Sequence, residues 1–395
     1  MKVLVANLGS TSFKYRLFDM SSEQQLARGG VERIGSPESR CFVEIGEFRG
    51  EMSQSVPNHG NAVDACIAQL THPKEGCLRS ASEISAIGFK AVHGGRLSGV
   101  QRIDASVLAA MDEMNSVAPA HNPPYMAAMK QLASMSAHIP LVAAFETDFH
   151  QTIPEAWKRY AIPTSIAIAL PIRRWGFHGA SHRFIAWRSA QLLGRSEARI
   201  ISCHLGGSSS LCAIRDGKSL ATTMGMSPQT GLPQNNRVGD LDPYCLPLMM
   251  EHTGLNLEGL LHMLSTQAGL LGLSNGLSGD VRDLEKASEA GNADAKLALD
   301  VYVADIRRQM GGMLMALGGA DAIVFTGGIG ENGIGIRRSV CQGLEDLGIS
   351  LSETSNAKGP TERRIDDSHG KVQIWIVPTN EELIVARQTV AAIQS

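Results

Sequence analysis

A strand-like stretch near the start of the chain, Val3-Leu4-Val5-Ala6-Asn7-Leu8-Gly9-Ser10-Thr11-Ser12-Phe13-Lys14, returns in altered form as Ile200-Ile201-Ser202-Cys203-His204-Leu205-Gly206-Gly207-Ser208-Ser209-Ser210-Leu211. Each copy runs from apolar residues into Leu-Gly, then a hydroxyl-rich turn, then a second strand ending on an acid, Asp19 or Asp216. The offset between Asn7 and His204 is 197 positions, half of the 395 residues, so the chain reads as two related halves. A Gly-Ser turn between strands gathers backbone N–H groups and hydroxyls at one point, as a phosphate binder requires. Two such turns facing each other make a phosphate clamp; either one alone reads better as an ordinary hairpin turn.

Strand and helix patterns alternate around these repeats. Apolar runs at 3–7, 12–18, 41–45, 84–92 and 141–145 read as strands, with helices expected over 61–71, 105–115 and 125–136. The second half carries helical spacing over 294–317, a buried strand at 321–325, another at 372–377 and a last helix over 383–393. This order argues for a mixed α/β sheet in each half. The expected division is 1–148, completed by the last helix at 383–395, and 149–382.

Composition narrows the partners. A formal net charge of −3 leaves no electrostatic footprint for nucleic acid or an anionic membrane, so a small molecule is the expected partner. The seven cysteines are far apart and form no C-x-x-C pair, which indicates neither a zinc site nor a disulfide framework and suits a reducing cytoplasm. No apolar stretch reaches the length of a membrane helix.

Three segments carry chemistry. Thr326-Gly327-Gly328-Ile329-Gly330-Glu331-Asn332 ends a buried strand in clustered glycines, which lets backbone approach a ligand; a nucleotide pocket is the preferred reading over a plain turn. It lacks the βαβ context of a dinucleotide fingerprint. Arg173 to His182 concentrates two arginines and two histidines around glycines, a set that suits an anionic transition state better than a metal, because His178 and His182 have no third ligand beside them. A buried, hydrogen-bonded His182 is an equal alternative. Arg237, in a turn-rich loop, offers a planar fork for carboxylate or phosphate.

These blocks, with Val92-His93-Gly94-Gly95, His121-Asn122-Pro123, Phe149-His150-Gln151-Thr152, Met224-Gly225, Arg237-x-Gly239-Asp240-x-Asp242-Pro243 and Pro378-Thr379-Asn380-Glu381-Glu382, occur in the order found in the acetate kinase family, which the whole chain resembles. The resemblance implies two duplicated actin-like (ribonuclease H-like) domains with a nucleotide cleft between them, a homodimer, and Mg²⁺- or Mn²⁺-dependent transfer of a phosphoryl group from ATP to a short-chain carboxylate, giving ADP and an acyl phosphate. It places His178, Arg237, Glu146 and Lys90 at the chemistry and Asn7 and Glu381 at the metal. Ser10, Ser12 and Lys14 would line the first phosphate loop, and His204, Gly206 and Gly207 the second. Asp280 and Arg282 would flank the adenine together with Gly328, Ile329, Gly330 and Asn332. Val92, Ala120, Phe177 and Pro228 would line the acyl pocket.

The chemistry agrees with that assignment. A carboxylate is already ionised near neutral pH and needs no general base; it needs charge neutralisation and an in-line approach, which Arg, His, Lys and Mg²⁺ supply. The chain departs from the family pattern at several of these positions. Phe89-Lys90 stands where the family has His-Arg, and Glu146 where it has an aspartate, with Asp148 close by. Gly207-Ser208 replaces Asn-Gly, Ala221 replaces an aspartate, and Asn235-Asn236 replaces Gly-Thr. Ala120 replaces a leucine and opens room for propionate or a slightly larger acid. A kinase of the same fold with another acceptor, and a catalytically weak nucleotide-binding regulator, remain the alternatives.

Overall fold

The computed structural model describes all residues except 10, 119–120, 136–137, 368 and 395. Its contacts divide the chain into two units, Met1–Asp148 with Asn380–Ser395, and Phe149–Thr379.

In the first unit β1 (Lys2–Gly9), β2 (Ser12–Asp19), β3 (Gln24–Glu32), β4 (Ser39–Ile45) and β5 (Phe48–Gln54) form an antiparallel meander. Strands β6 (Ile84–Ala91), β7 (Val100–Arg102) and β8 (Leu141–Phe145) extend it on the other side of β1, giving the order β5-β4-β3-β2-β1-β6-β8-β7. In the second unit β9 (Arg199–Leu205), β10 (Ser209–Arg215), β11 (Lys218–Thr222), β12 (Ala322–Thr326), β13 (Arg363–Arg364) and β14 (Gln373–Ile376) are ordered β11-β10-β9-β12-β14-β13.

The repeat seen in the sequence is a repeat of topology. β1 and β9 each pair antiparallel with the strand that follows them and parallel with a later one, β6 or β12. A second parallel strand, β8 or β14, lies beyond. The fold is therefore two actin-like α/β units. In each, β1 or β9 sits between two neighbours and its buried positions are apolar except for Ser202 on β9, as a near-continuous hydrophobic run in a central strand requires.

Two differences from the sequence reading have plain causes. β3 and β5 do not stand out in the sequence, because the exposed ends and edge of the meander carry Gln24, Gln25, Glu51 and Gln54. β3 is held by sterics at its glycines: a Cβ on Gly29 would lie 2.5 Å from the Phe42 carbonyl and 2.7 Å from the Tyr15 hydroxyl. The helix expected from Tyr125 begins at Asn122, since Pro123 and Pro124 fall in the first turn, where no N–H is needed. The last helix, Glu381–Gln394, packs on β6, β1 and β8 of the first unit. All seven cysteines are unbonded, and no described helix is long and apolar enough to cross a membrane.

Candidate active site

In α/β sheets, ligands collect beyond the carboxyl ends of the parallel strands. The predicted residues of the first unit gather there. Asn7 is near the end of β1, Lys90 near the end of β6, and Glu146 follows β8 directly, its N–H donating to the Ala91 carbonyl at 2.8 Å. Glu381 opens the last helix. The Lys90 ammonium donates to Glu381 and lies 3.6 Å from Glu146 Oε1. Burial alone pulls Lys90 down, but Glu146 and Glu381 outweigh it and hold the ammonium well above its ordinary value. Lys90 is therefore a fixed cation between two carboxylates.

Tyr125 ties this cluster to β1. Its hydroxyl donates to Asn7 Oδ1 at 3.1 Å and accepts the Leu8 N–H at 3.0 Å, while burial pushes it up to about 12. Of the first phosphate turn, Ser12 pairs with Gly9 across the hairpin, and Lys14 is exposed, 3.9 Å from Glu32. Ser10 and Ala120 lie outside the described residues. Val92 is buried. Glu146, Glu381 and Asn7 are hard oxygen donors of the kind Mg²⁺ takes, and one or two carboxylates beside substrate phosphates suffice for that ion. No closed cage of three or more His, Cys, Asp or Glu occurs among the described residues. The donor chemistry fits the metal.

The second unit assembles a basic half-site around the turn between β9 and β10. His178 precedes the helix Gly179–Leu193 with left-handed backbone, φ 56° and ψ 30°, a strained geometry for a side-chain-bearing residue and one that concentrates at functional sites. Its ring stacks on His204, the centroids 4.3 Å apart and the planes 29° off parallel. Its Nδ1 lies 2.8 Å from Ser210 Oγ. His182, one helical turn on, has both ring nitrogens occupied, Nδ1 by Ser202 Oγ at 2.8 Å and Nε2 by Ser210 Oγ at 2.9 Å. Burial, then His150 and His204, push His182 well below its ordinary value. It is thus a buried, hydrogen-bonded histidine with no nitrogen left for a metal.

Arg237 reaches the same turn. Its Nη1 donates to Ser208 Oγ at 3.4 Å, Gln234 Oε1 at 3.3 Å and the Pro228 carbonyl at 3.4 Å, long contacts that leave the fork without a carboxylate. Burial lowers Arg237 from the ordinary guanidinium value, so a desolvated cation without an anion stands by the loop. Gly206 and Gly207 form the turn itself. A Cβ on Gly207 would come within 3.2 Å of Asn235 Nδ2, and the Asn235 N–H donates to the Gly207 carbonyl at 3.2 Å. Two departures from the family pattern are therefore neighbours: the amide missing at 207 is present at 235. Phe177 and Pro228 are buried beside this set.

The nucleotide segment leaves β12 as a short helix, Gly327–Asn332. Gly327, at φ 77°, would bring a Cβ within 2.7 Å of the Leu205 carbonyl, so no other residue fits without strain. Its N–H is taken by Glu331 Oε1 at 3.0 Å. A Cβ on Gly328 would meet open space. Asp280 caps the helix Val281–Glu289 and holds Arg282, whose proximity lowers its carboxyl to about 2. A cavity of about 1060 Å³ opens nearby, lined by charged side chains including Glu285, Lys296 and Arg338; of the expected adenosine residues only Asn332 borders it. Sequence reasoning did not find Ser202, Ser208, Ser210, Tyr125 or Gln234. For Ser202 and Ser210 the signal was a hydroxyl inside an otherwise apolar strand; Ser208 in a turn, Tyr125 on a helix and Gln234 in a loop carried none.

Clusters of this kind beyond the carboxyl ends of parallel strands suit phosphoryl transfer, and comparison with known proteins makes the chain an ATP-dependent phosphotransferase that acts on a carboxyl group. A family model described as the acetokinase family matches residues 2–387. The acetate kinases of Carboxydothermus hydrogenoformans and Methanosarcina acetivorans are 40% and 41% identical over 393 residues, covering 98% of this chain and 98% and 96% of theirs. The crystal structure of Porphyromonas gingivalis acetate kinase superposes with a TM-score of 0.90 at 37% identity, covering 99% of each chain. That of a propionate kinase from Francisella tularensis superposes with a TM-score of 0.91 at 31% identity, again covering 99% of each. The chain belongs to the acetokinase family.

Proposed function

We propose that this protein transfers the γ-phosphoryl group of ATP to acetate or propionate, reversibly, with Mg²⁺. The observation that carries this reading is the half-buried Arg237 guanidinium, held against Ser208 of the β9–β10 turn without a carboxylate partner among the described residues, with His178 stacked on His204 of β9. Such a cation is costly to bury and acquires its anion from a substrate. Arg237 and His178 offset the charge that builds on the transferring group. Lys90 receives the carboxylate end, and Glu146, Glu381 and Asn7 would hold Mg²⁺, which would supply charge neutralisation to the phosphates there. Gly206 and Gly207 bring backbone N–H groups to the phosphates, as do Ser12 and Lys14, while Gly328 leaves space for adenosine.

Ala120 in place of leucine favours the larger acid, and the propionate kinase among the relatives is in keeping with that choice. The setting we propose is the cytoplasm, on the strength of unbonded cysteines. The assembly we propose is a homodimer, since Ile166, Ile168 and Leu170 are 47%, 60% and 58% exposed in one uncharged stretch of the second unit. The deciding experiment is acyl hydroxamate formation by the purified protein with ATP across acetate, propionate, butyrate and hydroxy acids, with and without EDTA. Turnover on a short fatty acid that EDTA abolishes is the expected result. Tight ATP binding with no product from any acid would instead make this a nucleotide-binding regulator.

A further inference from the structure

Four side chains of the second unit form an unbroken hydrogen-bonded row: His178 Nδ1 to Ser210 Oγ at 2.8 Å, Ser210 Oγ to His182 Nε2 at 2.9 Å, and His182 Nδ1 to Ser202 Oγ at 2.8 Å. A serine hydroxyl owns one hydrogen, and among the described residues Ser210 Oγ meets no acceptor besides the two rings, so it is satisfied only when it donates to one ring and accepts from the other. His182 is 0% exposed and stays neutral, with one ring proton. Only two arrangements satisfy the row. In the first, Ser202 donates to His182 Nδ1, His182 Nε2–H donates to Ser210, and Ser210 donates to His178 Nδ1; His178 is then neutral, with its proton on Nε2. In the second every bond is reversed: His178 Nδ1–H donates to Ser210, Ser210 donates to His182 Nε2, and His182 Nδ1–H donates to Ser202. A charged His178, with protons on both nitrogens, is compatible with the second arrangement alone.

The geometry points to Ser210 and His182 as positioning residues that hold the His178 ring and convert its gain or loss of a proton into a reversal of the whole row, His182 changing tautomer without ever becoming charged. The inference rests on the reading of His178 as the group that meets the phosphoryl charge. The other titratable groups facing this row are His204, stacked on His178, and His150, whose ring centroid is 5.7 Å from that of His182. His150 is itself fixed, donating from Nε2 to the Phe177 carbonyl and accepting at Nδ1 from Ser219, with Arg183 adding a repulsive charge to its burial. Burial, with Arg183, holds it neutral near neutral pH.

The test is imidazole ¹⁵N spectroscopy of the full-length protein with labelled histidine, followed across the pH range in which His178 titrates. The His182 nitrogens are expected to exchange their protonated and bare signatures in step with His178. A His182 whose two nitrogens keep one tautomer throughout would overturn the proposal, and this needs no variant to fold. In parallel, Ser210→Ala is expected to lower kcat about tenfold with both KM values within about threefold, and to move the His178 limb of the kcat–pH profile down by about half a unit to one unit, because the cation loses a stronger hydrogen bond than the neutral ring does. Ser210→Thr, which keeps the hydroxyl, should return the limb to its original position. A Ser210→Ala protein with an unshifted profile would show that Ser210 only packs. His178→Gln separates the two levels of argument: unchanged turnover in that variant removes His178 from the reaction, whereas lost turnover with an unshifted Ser210→Ala profile removes only the row.

Discussion

The two charged residues that most distinguish this chain from its family, Lys90 and Glu146, face each other at 3.6 Å. A shorter cation and a longer anion reach the same separation as a longer cation and a shorter anion, so each departure makes sense only with the other. Lys90→Arg and Glu146→Asp should each lower kcat/KM, while the double variant recovers much of the loss, with a coupling of about 1 kcal/mol or more in a double-mutant cycle. Additive effects would show that the two changes are unrelated. Arg237→Ala is expected to lower kcat about 10²- to 10³-fold while the ATP Kd moves only a few-fold, because its charge is needed as the anion builds; equal changes in both would make it an ordinary binding residue. At this scale the candidates Arg237, His178, Lys90 and Glu381 could be picked out of the sequence because their motifs are local. Tyr125 and Ser210 could not, because their partners come from distant chain segments: Tyr125 meets Asn7, and only the folded sheet brings Ser210 on β10 to His178 and His182.

At the level of elements, the turn between β9 and β10 has exchanged one amide for another, with glycine at 207 and asparagine at 235 sharing the same space. Gly207→Asn alone should raise the KM for ATP about five- to tenfold, in keeping with ~1 kcal/mol of crowding, and adding Asn235→Gly should restore it to within about twofold. Failure of the second change to rescue the first would mean that the turn tolerates no side chain at 207 for a reason other than Asn235. The β12 exit gives a similar contrast. Gly328→Val points into open space and should raise the KM for ATP without disturbing the fold, whereas a Cβ on Gly330 meets the Phe325 carbonyl carbon at 3.4 Å and the Cys203 oxygen at 3.5 Å. Gly330→Val therefore reports on packing as well, and only the Gly328 variant reads the nucleotide directly. The repeated hairpin, β12 and the long helix Ala293–Leu317 were readable from periodicity. Edge strands β5 and β11 were not, since a strand paired on one side carries polar residues that blur its alternation.

For the molecule as a whole, buried neutral imidazoles set an acid limit on stability. Burial, opposed by the Phe177 carbonyl, lowers His150 from 6.5 to about 4, and His182 is depressed as well. Between those two values the unfolded chain binds a proton that the folded one refuses, so stability falls as pH drops through this window. The urea midpoint of the second unit is expected to be level near neutrality and to decline from about pH 6.5 towards 4, with a slope of up to ~1.4 kcal/mol per pH unit for each histidine. A midpoint that stays level to pH 4 would mean that both rings accept protons in the folded state. The helix Glu381–Gln394 raises a separate matter, one of timing. Phe149–Thr379 is contiguous, but the first unit takes its last helix, and with it Glu381, from beyond that stretch. On the ribosome, where earlier domains ordinarily fold first, the order is inverted. Residues 1–148 must wait, with β6 and β8 uncovered along one face, until the whole second unit has been made and the final turns emerge. A nascent chain stalled before Glu381 would therefore carry a folded phosphate turn and histidine row, and a lysine still without one of its two carboxylates.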